Sequence, residues 1–251
     1  MGFLLVVALL APASVQAAPT VGEVVHAAVL VAEGQQAFTQ GMTSAAISCL
    51  SEAEGLRPDW LAPVQWLALA QQVGGNRDAS LAAYASVQRE SLATGSFRRN
   101  NPPDQLAVVI ECEALTAWLV NQTRYETQLN LLLPDPKLGQ VARQHSLEMR
   151  DLGYFDHESP VEGRKTSLDR FQQLFGFRAQ LIAENVARRW GSEYLLTAER
   201  ITDTHQRFLK SPEHRRSLIL PGVERMGVGI AVDATGNYWV TEVLAKYQGG
   251  S

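Results

Sequence analysis

Five histidines occur in the 251 residues, and four of them, His145, His157, His205 and His214, fall between positions 145 and 214. Imidazole is the side chain whose charge changes near neutral pH, so this stretch is the first place to seek metal ligation or proton transfer. His157 lies in the loop-like segment Tyr154-Phe155-Asp156-His157-Glu158-Ser159-Pro160, eight residues past Met149. His214 lies in Ser211-Pro212-Glu213-His214-Arg215. There the serine is a good N-cap and the proline suits the first helical position. The positive end of that helix would disfavour protonation of His214, and a neutral imidazole is what a metal ligand or general base requires. Glu184 sits in the otherwise apolar run Ala183-Glu184-Asn185-Val186-Ala187. A carboxylate there needs a partner, and an imidazole is the simplest one.

His157, Glu184 and His214 are therefore the residues whose types could do chemistry, with His157 and His214 the candidate metal ligands. Two imidazoles with one or two carboxylates could hold a divalent cation such as zinc with an open position. The same residues could instead form a buried hydrogen-bonded network that fixes packing. No catalytic residue is assigned. A His–Glu pair lacks a nucleophile, and no spacing recommends Ser146 or Ser211 for that role. His145 shares a helix face with Met149 and is expected to be structural. His205, flanked by Asp203, Gln206 and Arg207, is expected to be solvated, and His26 belongs to the N-terminal helical region. Common signatures are missing: Val161 stands four places after His157 where a zinc-protease motif needs histidine, and no GxSxG or P-loop occurs. Gly227-Val228-Gly229 is followed by Val232 rather than a third glycine, so it is strand rather than a dinucleotide fingerprint.

The elements that must carry these residues follow from apolar spacing. It predicts helices near 105–126, 138–152, 166–175 and 194–210, a strand over Met226–Val232, a turn at Asp233–Asn237 and a return strand from Tyr238 to Lys246. Helices with an antiparallel hairpin point to an α+β or three-layer domain of about 145 residues, enough for its own core. Residues 21–94 are different: Ala, Leu, Val and Gln at helical spacing, glycine breaks and almost no strand signal. A period of 34 fits them, with Gly34, Gly41, Ala46, Leu50, Ala53 and Pro58 in one unit and Leu67, Ala70, Gly75, Tyr84 and Val87 in the next. This resembles the tetratricopeptide repeat, although Ser80 stands where alanine is usual. Two such units either dock a peptide or pack on the following domain, and packing is the favoured expectation. The linker Gly95 to Pro103 ends in a proline pair and marks the boundary.

The first segment has an apolar run, Phe3 to Ala11, then Pro12 and Val15-Gln16-Ala17 before Ala18. That is the pattern of a signal peptide over 1–17, or of a short membrane anchor; it is too short to span a bilayer as a stable helix. The expected location is secreted or periplasmic. A formal charge of −4 with no basic block argues against nucleic acid as the partner. No later stretch is long and apolar enough for an integral membrane protein. Cys49 and Cys112 would form a disulfide in an oxidising compartment or remain two buried thiols. Asn121-Gln122-Thr123 is a formal glycosylation sequon in helical surroundings.

The chain from about 110 to 247 resembles a bacterial CAP/SCP domain, the superfamily of cysteine-rich secretory proteins, antigen 5 and plant pathogenesis-related proteins. The resemblance rests on motifs in order: Leu132 to Leu138 with Ala142, His145-Ser146 and Met149; Tyr154-Phe155-Asp156-His157; Glu184-Asn185-Val186-Ala187; Ser211 to Arg215; Met226 to Gly229; Tyr238-Trp239-Val240-Thr241. His145, His157 and His214 all fall in them. The resemblance implies a three-layer α-β-α sandwich over 105–248, preceded by an all-α helical-repeat region over 18–100. It implies a cleft with two His and two acidic residues, three of which match His157, Glu184 and His214. The fourth departs from the pattern: Phe208 and Ser211 replace a Trp and a Glu, and Thr241-Glu242 replaces Thr-Gln. Glu213 and Glu242 are the candidates. The family implies a binding module for a lipid, a cell-envelope component or a protein. The alternative is a metal-assisted extracellular hydrolase or protease.

Overall fold

A computed structural model describes residues 19–92, 103–191 and 195–247. The proposed signal segment and most of the linker therefore lie outside the described residues, as do positions 192–194. The chain begins with four helices, α1 (Val21–Thr39), α2 (Thr43–Leu56), α3 (Leu61–Val73) and α4 (Arg77–Leu92). Then come α5 (Pro103–Glu126), β1 (Leu133–Pro134), α6 (Pro136–Leu152), α7 (Ser167–Phe175), β2 (Leu181–Arg189), α8 (Ala198–Lys210), α9 (Pro212–Leu218), β3 (Arg225–Val232) and β4 (Tyr238–Lys246).

The strands form one sheet in the order β1-β3-β4-β2. β3 and β4 make the expected antiparallel hairpin, closing at Val232↔Tyr238. Its turn is held by Asp233 Oδ1, which accepts from the amides of Thr235 and Asn237 at 2.9 Å each. β2 pairs antiparallel with β4, Glu184 opposite Val243 and Asn185 opposite Glu242. Alternation sorts side chains to two faces. Val228, Ile230 and Val240 join the core cluster that includes Val109 and Leu115 of α5 and Phe208 of α8. Val243 and Ala245 join Leu138 and Val141 of α6 and Phe171 of α7. The result is the α+β, three-layer sandwich.

Gly227 and Gly229 have a packing reason to be glycine. A Cβ on Gly227 would lie 2.0 Å from the Leu138 carbonyl carbon, and one on Gly229 2.0 Å from the Arg143 nitrogen. The backbone of α6 lies directly on β3 there.

The N-terminal helices are not a separate body. Ala68, Leu69, Tyr84, Ala85 and Leu92 share the central cluster with α5 and the sheet. Gln65 Nε2 donates to the Pro134 carbonyl at 2.6 Å, and Asn121 Nδ2 donates to Tyr84 Oη at 2.7 Å. That second contact also buries the sequon asparagine. Cys49 and Cys112 are free thiols rather than a disulfide. Cys112 lies in the central core, where burial pushes its thiol up to about 12.

His205 corrects the sequence expectation: it is 3% exposed, not solvated. Its Nε2 lies 2.9 Å from Thr123 Oγ1, and burial lowers it to about 4. The buried positions of α8 are Ile201, Thr204, His205 and Phe208, a helical stripe that Asp203, Gln206 and Arg207 flank without sharing.

Candidate functional site

Glu184 is the hub. It stands on β2 with 4% of its side chain exposed. Its Oε1 is 3.0 Å from His157 Nδ1 and 3.9 Å from His145 Nε2, and its Oε2 is 2.6 Å from Arg170 Nη2. The expected imidazole partner is present. Arg170, which sequence reasoning missed, is a stronger one. It is buried on α7, and its guanidinium also donates to the carbonyls of His157, Arg164 and Lys165. One arginine thereby ties the 157–165 loop to the sheet. Its one sequence signal is position: it sits beside Phe171 in a short helix opened by the Thr166–Asp169 capping box.

The loop that carries His157 is held from below by α6. His145 is fully buried and its Nε2 meets the Asp156 carbonyl at 3.1 Å. Tyr154 Oη donates to Glu148 Oε1 at 2.6 Å, and Ser159 Oγ donates to the same oxygen. Arg164 Nη1 lies 3.1 Å from Glu148 Oε2. His145 is structural, as expected, and its structure is the floor of the site.

His214 arrives from the other side of β2. Pro212 opens α9, as its sequence predicts, but Ser211 makes no capping bond to the backbone. Its Oγ lies 2.8 Å from His214 Nδ1 instead. Phe208 stacks at a tilt, 4.8 Å from the His214 ring. Asn185 Nδ2 donates to the His214 carbonyl at 3.3 Å and to Glu242 Oε2 at 3.1 Å. Glu242 is 1% exposed and lies beneath the site, whereas Glu213 is exposed and does not line the cavity.

His157 and His214 meet at a cavity of about 540 Å³. Phe155, Asp156, Phe208, Ser211 and the β2 stretch from Val186 onward complete much of its wall. Glu184 does not line this cavity; it holds His157 from behind. Each histidine uses Nδ1 for a protein partner, so Nε2 is the nitrogen left for a ligand. Among the described residues, no three His, Cys, Asp or Glu side chains come together to hold a metal ion. Arg170 places a cation on Glu184, the carboxylate that holds His157.

The two imidazoles have opposite tendencies. The Glu184 hydrogen bond raises His157 above the ordinary imidazole value, outweighing its burial. Burial, then the neighbouring charge of His157, lowers His214. Burial works against ionised Glu184, but His157, Arg170 and His145 together hold it below the usual carboxylate range. Burial raises Glu242 to about 7, against the Asn185 bond. The site therefore sets an imidazole whose protonated form is favoured and one whose neutral form is favoured on the wall of one cavity.

Residues 119–243 match a family model described as CAP, the cysteine-rich secretory protein family. The uncharacterized protein YkwD of Bacillus subtilis (strain 168) is 29% identical over 128 residues, 51% of this chain and 45% of that protein. The chain thus spans less than half the length of that relative. An extracellular protein containing a SCP domain from Bacillus anthracis str. Ames is 26% identical in its crystal structure, with a TM-score of 0.49 over 59% of this chain and 44% of that one. An outer surface protein from Borrelia burgdorferi is 16% identical, with a TM-score of 0.46 over 55% of this chain and 94% of that one.

Proposed function

On the premise that residues 119–243 are a CAP/SCP domain, we propose that this is an exported binding protein whose cleft takes a ligand between His157 and His214. The observation that carries the reading is that both side chains line one cavity of about 540 Å³, in the size range of ligand pockets. Phe155, Phe208 and Trp190 give that cavity apolar walls, and the two imidazoles give it polar points of fixed orientation. Export rests on the apolar segment and small residues of positions 3–18.

One contact favours a second reading, a hydrolase. Ser211 Oγ and His214 Nδ1 are at the distance of a nucleophile and its base. No carboxylate hydrogen-bonds this histidine among the described residues, so the pair lacks the orienting third group. Both readings are tested on the full chain with two probes. Anilinonaphthalene sulfonate, an aromatic anionic fluorophore, should bind at one site and bind about tenfold more weakly to His157→Gln/His214→Gln. Binding unchanged in that variant would contradict the cleft reading. A fluorophosphonate should leave Ser211 unmodified; stoichiometric labelling, lost in Ser211→Ala, would install the hydrolase in its place.

A further inference from the structure

β2 is the end strand of the sheet. Nine of its residues pair with β4, from Leu181↔Lys246 to Arg189↔Tyr238. Apart from that ladder to β4, among the described residues no backbone hydrogen bond joins Val186–Trp190 to another segment. The Arg188 carbonyl accepts from the neighbouring Arg189 guanidinium, at 3.2 Å.

Val186, Ala187, Arg188, Arg189 and Trp190 all line the same cavity. Successive strand residues point to opposite faces of a sheet. Five in a row can border one space only if that space runs along the strand's edge, where it meets backbone. One bank of the groove is the Phe155–His157 loop, and the other is Thr204, Phe208, Ser211 and His214. An open strand edge in a groove is the feature that extended peptides pair with.

The charges around the edge say what kind of peptide. A second space of about 260 Å³ adjoins, lined by Arg188, Arg189, Trp190 and Arg207. Arg207 is paired with Asp203 at 2.9 Å. Arg188 and Arg189 have no acidic partner among the described residues, and each has a buried Nε without a hydrogen bond. Arg188 lies 5.2 Å from the Trp190 ring and 5.1 Å from the Trp239 ring, which orients its guanidinium without neutralising it. Asp156 is the acidic side chain of the lining, and its Oδ1 already accepts from the Glu158 amide at 3.0 Å.

We propose that the groove binds an extended acidic peptide as an added strand on β2, with two adjacent carboxylates answering Arg188 and Arg189. Adjacent acids are required because those arginines leave the strand on opposite faces, as successive residues of an added strand do. The proposal rests on the cleft being a binding site and names its ligand class.

The test is a random heptapeptide display library panned against the full chain. Enriched peptides should carry two neighbouring Asp or Glu residues. A synthetic copy should bind about tenfold or more weakly to Arg188→Gln/Arg189→Gln. Arg207→Gln, whose guanidinium is already paired, should lose less. N-methylation at alternate peptide amides should abolish binding, and methylation at the intervening ones should not. No enrichment, enrichment without an acidic pair, or indifference to N-methylation would overturn the proposal. So would a dimer through β2 in sedimentation of the free protein. Thermal melts of both arginine variants separate a lost contact from a lost fold. If the fluorophore still binds in a histidine-dependent way while peptides fail, the edge proposal alone falls; if neither binds, the cleft reading falls with it.

Discussion

Glu184 is buried against three cationic or titratable side chains, so its removal exposes what it neutralises. Glu184→Ala leaves Arg170 buried without a carboxylate, and the expected loss is about 3–5 kcal/mol. Glu184→Gln keeps the shape and a hydrogen-bond acceptor and should cost less; equal losses in urea unfolding would show that the charge is not what matters. The pH dependence follows from the shifts. His157 is raised, so its contribution is complete below the ordinary imidazole value and fades as pH rises through the raised one. Glu184 is lowered, so its contribution is present above the ordinary carboxylate value and fades as pH falls through the lowered one. Stability measured against pH should therefore lose the His157 contribution on the alkaline side in wild type and not in His157→Gln. As a cleft set His157, Glu184 and His214 rest on the family resemblance, and Glu184 stands outside the cavity wall. Singly they were conspicuous because a carboxylate in an apolar run and histidines beside turn signals are unusual locally. Arg170 and His205 were not. Arg170 owes its role to a loop folded over it from 157 to 165, and His205 to a helix stripe that its polar neighbours disguise.

At the scale of elements, α6 and β3 are held at a distance only glycine permits. Gly229→Ala would put a methyl group into the backbone of α6, and the expected cost is about 3 kcal/mol or more. Gly55→Ala, in a helix with nothing near the added carbon, should instead stabilise by up to about 1 kcal/mol. Calorimetry on the two variants checks both signs. α9, which carries His214, is anchored at its far end by buried Arg124, whose Nη1 donates to the carbonyls of Leu218 and Leu220 at 2.9 and 3.0 Å. The β3–β4 hairpin and the helices around it were legible because their apolar periods are regular and their turns carry Gly and Asp. β2 was not identified as a strand. Its Glu184, Asn185, Arg188 and Arg189 break the alternation, because at a sheet edge each answers a site partner or solvent rather than a core.

For the whole molecule, the N-terminal helices and the CAP/SCP domain share one core, so neither is expected to be stable alone. Deleting residues 18–95 would strip Ala68, Leu69, Tyr84, Ala85 and Leu92 from the core they share with α5, and the remainder should be insoluble on expression. A soluble, folded remainder would show that the helices serve a partner instead. The sequence indicated a helical first region and a mixed second one, but their joining depends on contacts such as Gln65 to Pro134 that span 69 positions and leave no local trace. The free cysteines follow from the same cause, since pairing depends on where α2 and α5 come to rest.

The cleft reading depends on His157 and His214 lining one cavity closely enough that the charge of one bears on the other. Ring-proton NMR titration of wild type and His157→Gln tests this directly. His157 is predicted to titrate above the ordinary imidazole value and His214 below it, and His214 should move upward once the charge at 157 is gone. A His214 titration identical in the two proteins would contradict a shared cleft.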